Sequence, residues 1–190
     1  MLLNSGTMNN YISKNLEVFL VERNNLDTKK HKIIHKFDGR IIPLEPRVLR
    51  ETAQELANLL NLEKVDYIVG FAEGGLLAAY GVSMVTDIPM IGSYRVRLKS
   101  SPEIIFTEPH SERSTHYIYG LKPGDKIVIV EDEITTGSTL VSAVSELTKK
   151  NIGVVDIGSY IICKNFMDKK HPELEKYNIK HLLAYGNHIY

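Results

Sequence analysis

Four β-branched residues in succession, Ile127, Val128, Ile129 and Val130, form the strongest apolar run in the chain. Unbroken apolarity over so short a span describes a strand buried on both faces, as in a parallel sheet. Beyond it the pattern changes period. Leu140, Val141, Val144 and Leu147 recur at helical spacing, so a helix follows. The same alternation appears upstream. Pro46 stands where a first-turn proline belongs, and Val48, Leu49, Ala53, Leu56, Ala57 and Leu60 line one helical stripe behind it. Tyr67 to Gly70 then reads as a buried strand, Phe71 to Gly75 as a tight glycine turn, and Leu76 to Val85 as a helix of small residues.

The flanks are less regular. Residues Asn10 to Glu22 place Ile12, Leu16, Phe19 and Leu20 on one helical face, which predicts a short amphipathic helix ended by Asn24 and Asn25. His31 to Phe37 predicts a strand, closed by the turn signal Asp38-Gly39. His31 and His35 have metal-ligand spacing only on a helix, and Ile33 and Ile34 between them argue for a strand instead. Pro89 to Val96, Val154 to Cys163 and His181 to Ala184 are further predicted strands. From Arg97 to His116 periodicity is lost, and a loop of that length in a compact domain is usually a functional lid or disordered. Alternating strands and helices predict an α/β fold: a doubly wound, mostly parallel sheet whose ligands bind outside the carboxyl ends of the strands. One domain, residues 1–190, is expected. Residues 1–45 are expected to carry the N-terminal helix and strand, and residues 46–190 the α/β core with a lid over 96–119.

Composition narrows the class. Lys and Arg total 23 and Asp and Glu total 23, so no field of one sign invites nucleic acid or an anionic membrane. No apolar run approaches the length of a membrane span, and the opening M-L-L-N-S-G-T-M-N-N has no basic region, so neither a span nor a secretory signal is expected. A single cysteine, Cys163, excludes an internal disulfide framework, suits a cytoplasmic protein, and reads as a buried inert thiol.

Candidate chemistry concentrates after the first-named strand. Glu131 and Asp132 follow it, then Thr135, Thr136, Gly137, Ser138 and Thr139, then the helix. A helix N-terminus offers unpaired N–H groups and a positive dipole end, and a glycine lets an anion approach the backbone. Capping alone would account for any one hydroxyl residue in this run, but not for the acidic pair. The G-x-x-x-x-G-K-[ST] spacing of a Walker loop is absent. The whole stretch, E-D-E-I-T-T-G-S-T, resembles the phosphoribosyl-pyrophosphate (PRPP) signature of the type I phosphoribosyltransferases.

That resemblance implies the fold of the family, with residues 1–45 as a small N-terminal hood, and transfer of a phosphoribosyl group from PRPP to a nucleobase, with Mg2+ and release of pyrophosphate. It assigns the PRPP 5′-phosphate to Thr135, Thr136, Gly137, Ser138 and Thr139, and the ribose hydroxyls to Glu131 and Asp132. It expects no direct protein ligand to magnesium, with Asp132 reaching it at most through water. The turn Ala72, Glu73, Gly74, Gly75 matches the family's pyrophosphate loop in position. Glu73 departs from members that carry Arg or Lys there. Arg95, Arg97, Lys99 and Arg113, in or beside the lid, would supply positive charge: Arg95 and Arg113 to pyrophosphate, Arg97 and Lys99 at the reacting bond. His110 and His116 lie in the same segment and are not expected to pair on a metal. Relatives whose lids cross a dimer interface make a homodimer the expected assembly.

The base site rests on I-I-C-K-N-F, which resembles the equivalent segment of xanthine-type purine enzymes; Lys164 would contact a purine oxo group and Phe166 would stack on the ring. The wording of both loops is equally at home in orotate enzymes, and the lid run E-P-H-S-E-R-S-T-H does not match common salvage enzymes. Purine salvage is therefore the leading expectation. An orotate-type enzyme, a PRPP-sensing module without turnover and a relative acting on an unusual acceptor stay open.

Overall fold

The computed structural model describes residues 16–21, 30–37, 39, 42–101, 103–109 and 115–186. Five strands form one parallel sheet: β3 (Tyr67–Gly70), β4 (Met90–Gly92), β7 (Lys126–Ile134), β8 (Gly153–Cys163) and β9 (Lys180–Tyr185), in the order β4-β3-β7-β8-β9. Helices cover both faces. α1 (Pro46–Ala57) and α2 (Gly74–Thr86) pack Val48, Ala53, Leu56, Ala78, Ala79 and Val82 against Ile68, Val128 and Val130. On the other face α3 (Ser138–Lys149) packs Leu140, Ala143, Val144 and Leu147 against Val69, Ile127, Ile129 and Ile157. Val128 and Val130 belong to one cluster and Ile127 and Ile129 to the other, because successive residues of a strand point to opposite faces. The unbroken apolar run thus has its physical cause in a central strand covered twice.

From β3 the chain crosses outward through α2 to β4, then returns to the opposite side of β3 as β7. The reversal makes a crevice between the carboxyl ends of β3 and β7, the place where such sheets bind ligands. The turn Phe71 to Gly75 leaves β3 there, and Glu131 to Thr139 end β7 there.

Four expectations are corrected. First, within the predicted helix over 10–22, Leu16–Val21 is a strand, β1, antiparallel to β2 (Lys30–His35). The sequence L-E-V-F-L-V is rich in β-branched and aromatic residues, and an antiparallel partner decides against the helical period. Second, the aperiodic stretch 97–116 is partly ordered: β5 (Glu103–Thr107) and β6 (Thr115–Tyr119) make an antiparallel ribbon. Ile104, Phe106, His116 and Ile118 alternate inward on it and are buried. Third, β7 does not end at Val130 but runs on through both carboxylates to Ile134, with Glu131 opposite Ser159 and Glu133 opposite Ile161 of β8. The strand predicted over Pro89–Val96 is shorter, Met90–Gly92, with Tyr94 bridged to Tyr117 of the ribbon.

Candidate active site

Glu131 and Asp132 are neighbours on β7 and so leave its two faces. Asp132 turns toward the α1/α2 side, where a β-carbon on Gly74 would fall 1.9 Å from its Oδ2. Glu131 turns the other way, where a β-carbon on Gly75 would fall 2.7 Å from its Oε1. Both glycines at the start of α2 therefore make room for the acidic pair, a requirement that spacing alone does not reveal. Glu131 also accepts a hydrogen bond from the Phe71 N–H, 3.1 Å. Burial, then the adjacent Asp132 charge, holds the Glu131 carboxyl well above the usual carboxylate range.

The end of β2 reaches this pair. His35, 1% exposed, brings Nε2 to 3.4 Å from Asp132 Oδ2, while its Nδ1 accepts the Phe37 N–H at 3.2 Å. An Nδ1 that accepts leaves the proton of the neutral ring on Nε2, facing the carboxylate. The strand expected around His35 is what carries this contact. Among the described residues no group of three or more His, Cys, Asp or Glu is arranged to hold a metal ion.

The hydroxyl turn is held open. Gly137, at φ +76°, is the N-cap of α3 and carries no side chain to close the helix end. Thr136 Oγ1 donates to Ser138 Oγ at 3.1 Å, and the Ser138 N–H lies 3.4 Å from Thr136 Oγ1. Phe166 supports the turn from below: a β-carbon on Gly137 would meet its ring at 2.7 Å and His171 at 3.2 Å. Phe166 and His171 are stacked, centroids 4.6 Å apart and planes at 13°. One face of Phe166 is thus covered by His171, which limits the base stacking expected of it. Lys164 opens the short helix α4 (Lys164–Met167), half-buried. Cys163 is fully buried and its thiol is pushed up to about 12, chiefly by burial, in keeping with an inert thiol.

At the opposing turn, Ala72 and Glu73 are joined by a cis peptide, Glu73 is exposed, and Gly74 and Gly75 are buried. Arg95 lies over this turn, donating to the Ala72 carbonyl at 3.4 Å and to Glu108. Arg97 is engaged with Glu103 through both carboxylate oxygens, at 3.0 and 2.8 Å, on the exposed side of the ribbon. Lys99 is exposed as well. Arg113 and His110 lie outside the described residues. The structure therefore brings together Glu131, Asp132, Ala72, Gly74, Gly75 and Arg95, and leaves Arg97 and Lys99 on the exposed side. Sequence reasoning did not single out His35 beside Asp132, nor Ser93 and Glu108 beside the turn, and it placed His116 in a lid where the fold buries it.

A family model described as phosphoribosyl transferase matches residues 18–178, so the chain belongs to that family. Its fold is the type I phosphoribosyltransferase fold. It is 30% identical over 128 residues to a hypoxanthine/guanine phosphoribosyltransferase from a Methanocaldococcus species, covering 67% of this chain and 65% of that one. A second relative of the same description, from Methanobrevibacter ruminantium, is 34% identical over 144 residues, covering 74% of each chain. The crystal structure of an adenine phosphoribosyltransferase from Rhodothermus marinus superposes with a TM-score of 0.71 at 15% identity, covering 94% of this chain and 99% of that one.

Proposed function

We propose that the protein transfers the 5-phosphoribosyl group of PRPP to a purine base and releases pyrophosphate, as in nucleotide salvage. The observation that carries this reading is the crevice itself. An acidic pair stands at the end of β7 against the first glycines of α2, just beyond β3, and an open helix start follows it. Two anion-binding turns facing across a pair of carboxylates suit a sugar with phosphates at both ends. The purine assignment draws on the hypoxanthine/guanine relatives.

In this reading Thr135 to Thr139 hold the 5′-phosphate, far from the bond that breaks, so its binding energy keeps the ribose in register. Asp132 and Glu131 accept the ribose hydroxyls and favour positive charge developing on the sugar as the bond from C1 to the pyrophosphate oxygen breaks and the bond from C1 to a base nitrogen forms. Ala72 to Gly75 with Arg95 receive the pyrophosphate, joined by Arg113, and Arg97 and Lys99 reach the reacting bond once released from their exposed positions. Lys164 contacts the base, with Phe166 at its edge.

An all-oxygen donor set of two carboxylates suits magnesium that arrives on its phosphates and keeps waters; Asp132 would hold it through water. When bound, magnesium neutralises pyrophosphate charge. Residues 1–45 serve as a hood, supported by the reach of His35 to Asp132. Among the described residues no helix is long and apolar enough to cross a membrane. A cytoplasmic homodimer, binding neither nucleic acid nor membrane, is part of the proposal.

Pyrophosphate release is measured with PRPP, magnesium and one base at a time: hypoxanthine, guanine, xanthine, adenine and orotate. Turnover with a purine is expected. Turnover with orotate alone would move the protein to pyrimidine chemistry, and PRPP binding with no turnover would leave a sensing module.

A further inference from the structure

Beside the Ala72 turn a chain of side-chain contacts closes on itself. The Ala72 N–H donates to Ser93 Oγ at 3.3 Å. Ser93 Oγ lies 2.9 Å from His116 Nδ1, and His116 Nε2 lies 3.4 Å from Glu108 Oε2. The same carboxylate oxygen accepts from Arg95, and Arg95 returns to the Ala72 carbonyl at 3.4 Å. Both polar groups of Ala72 are thereby held by one segment, Ser93 to Arg95 after β4, which is itself held by His116 of the ribbon strand β6 and Glu108 of the stretch after β5.

One order of protons serves every contact in this circuit. Ser93 Oγ accepts from the Ala72 N–H and can donate its own proton to His116 Nδ1. In that tautomer the imidazole carries its proton on Nε2, directed at Glu108. Glu108 then accepts from His116 and Arg95 together, which holds its carboxyl down at about 2, the His116 contact being the larger cause. Ser93 is 0% and His116 1% exposed. Phe106 lies stacked on the His116 ring at 4.9 Å, fixing its plane. A buried polar network with every member satisfied specifies a single arrangement.

We propose that Ser93, His116 and Glu108 are positioning residues that set the shape of the Ala72–Gly75 turn for a magnesium-bound diphosphate, with His116 as their hub. The proposal rests on the reading of that turn as the pyrophosphate site. Ser93 fixes the Ala72 N–H and Glu108 fixes the Arg95 guanidinium over the Ala72 carbonyl. His116 couples the two, so the ribbon orders the turn without touching ligand. Support for the 5′-phosphate turn comes separately from Phe166.

The test uses the full chain and two probes bound separately by calorimetry: magnesium pyrophosphate and ribose 5-phosphate. Ser93→Ala and His116→Phe are compared with wild type; the second keeps the aromatic stack and removes both polar contacts. A loss of about tenfold or more in pyrophosphate affinity, about 1.4 kcal/mol, with ribose 5-phosphate binding within about twofold of wild type, is the expected result. His116→Asn, whose amide oxygen can take the place of Nδ1 toward Ser93, should recover part of that loss and also serves if His116→Phe does not fold. Wild-type pyrophosphate affinity in Ser93→Ala and His116→Asn, or equal losses for both probes, overturns the proposal. A wild type that binds ribose 5-phosphate but no pyrophosphate overturns the reading of the turn, and the proposal with it.

Discussion

Glu131 and Glu108 are both carboxylates near the crevice, yet their surroundings push them in opposite directions. Glu131 is raised by burial and by Asp132, so its folded pKa exceeds its unfolded value, roughly 4.3. Its contribution to stability is fully present below that unfolded value and is lost as pH rises through the raised one. Glu108 is lowered to about 2, so its contribution is present above the unfolded value and is lost as pH falls toward about 2. Glu131→Gln keeps an acceptor for the Phe71 N–H and removes the charge. Its melting temperature should exceed that of wild type at pH 8, by about 2–4 °C for each kcal/mol relieved. The difference should vanish near pH 4, where both proteins carry a neutral group, and a pH-independent difference would contradict the raised pKa. Turnover should fall about a hundredfold, as for loss of a group matched to transition-state charge. Gly74→Ala makes a steric test of the same pair. Its methyl would overlap Asp132 Oδ2, so denaturation should show a loss of about 1–3 kcal/mol, with most activity gone. Gly186→Ala is the control: its added methyl meets nothing within 4 Å and its φ lies outside the left-handed region.

At the scale of elements, the legible parts were those whose signal is local. The apolar runs of β7 and β8, the stripe of α1 behind Pro46 and the small-residue helix α2 each carry their own periodicity, and the fold has them where the pattern implies. What escaped was decided by partners distant in sequence. Leu16–Val21 can satisfy a helical period, and only its pairing with Lys30–His35 makes it a strand. The ribbon was hidden because Ile104, Phe106, His116 and Ile118 alternate over runs of only five residues, interrupted by prolines and charges. The crevice followed the same rule. Glu131, Asp132 and the two glycine-bearing turns stand out as motifs, whereas His35, Ser93, Glu108 and His116 acquire roles only through contacts across the fold. If the ribbon is part of the core rather than a free lid, Ile118→Ala, fully buried in wild type, should cost about 2–5 kcal/mol by chemical denaturation. A loss within about 0.5 kcal/mol, the range of ordinary surface changes, would return the ribbon to the status of a loop.

For the molecule as a whole, α2 poses a question of solvent. Its sequence, G-G-L-L-A-A-Y-G-V-S-M-V-T, contains no charged residue, and a helix that is apolar all round is normally covered all round. Among the described residues only its inner side is covered. Tyr80 is 50% and Met84 59% exposed, and they continue a stripe that begins at Leu76. Tyr94, 53% exposed, lays its ring beside Leu76 across Gly92 of the edge strand β4, and Val96 and Leu98 extend the surface at 69% and 56%. An apolar surface continuous over a helix and a sheet edge is the mark of an interaction site, and a second copy is the occupant consistent with the proposed homodimer. Two-fold symmetry would set the stripe against itself. Light scattering at micromolar concentration should then report twice the 21.5 kDa of one chain. Tyr80→Lys with Met84→Lys should yield the single chain, because each lysine would bury a charge without a counter-ion. Both side chains are already solvated in the isolated subunit, so the variant's fold should be intact by circular dichroism. A wild type that scatters as one chain, or a double variant that still scatters as two, would assign the stripe another role. The segment from Tyr94 to Leu98 also carries Arg95 and Arg97. Separation of the subunits should therefore raise the KM for PRPP several-fold, a loss of order 1 kcal/mol, while the affinity for ribose 5-phosphate, held at the far turn, stays near that of wild type.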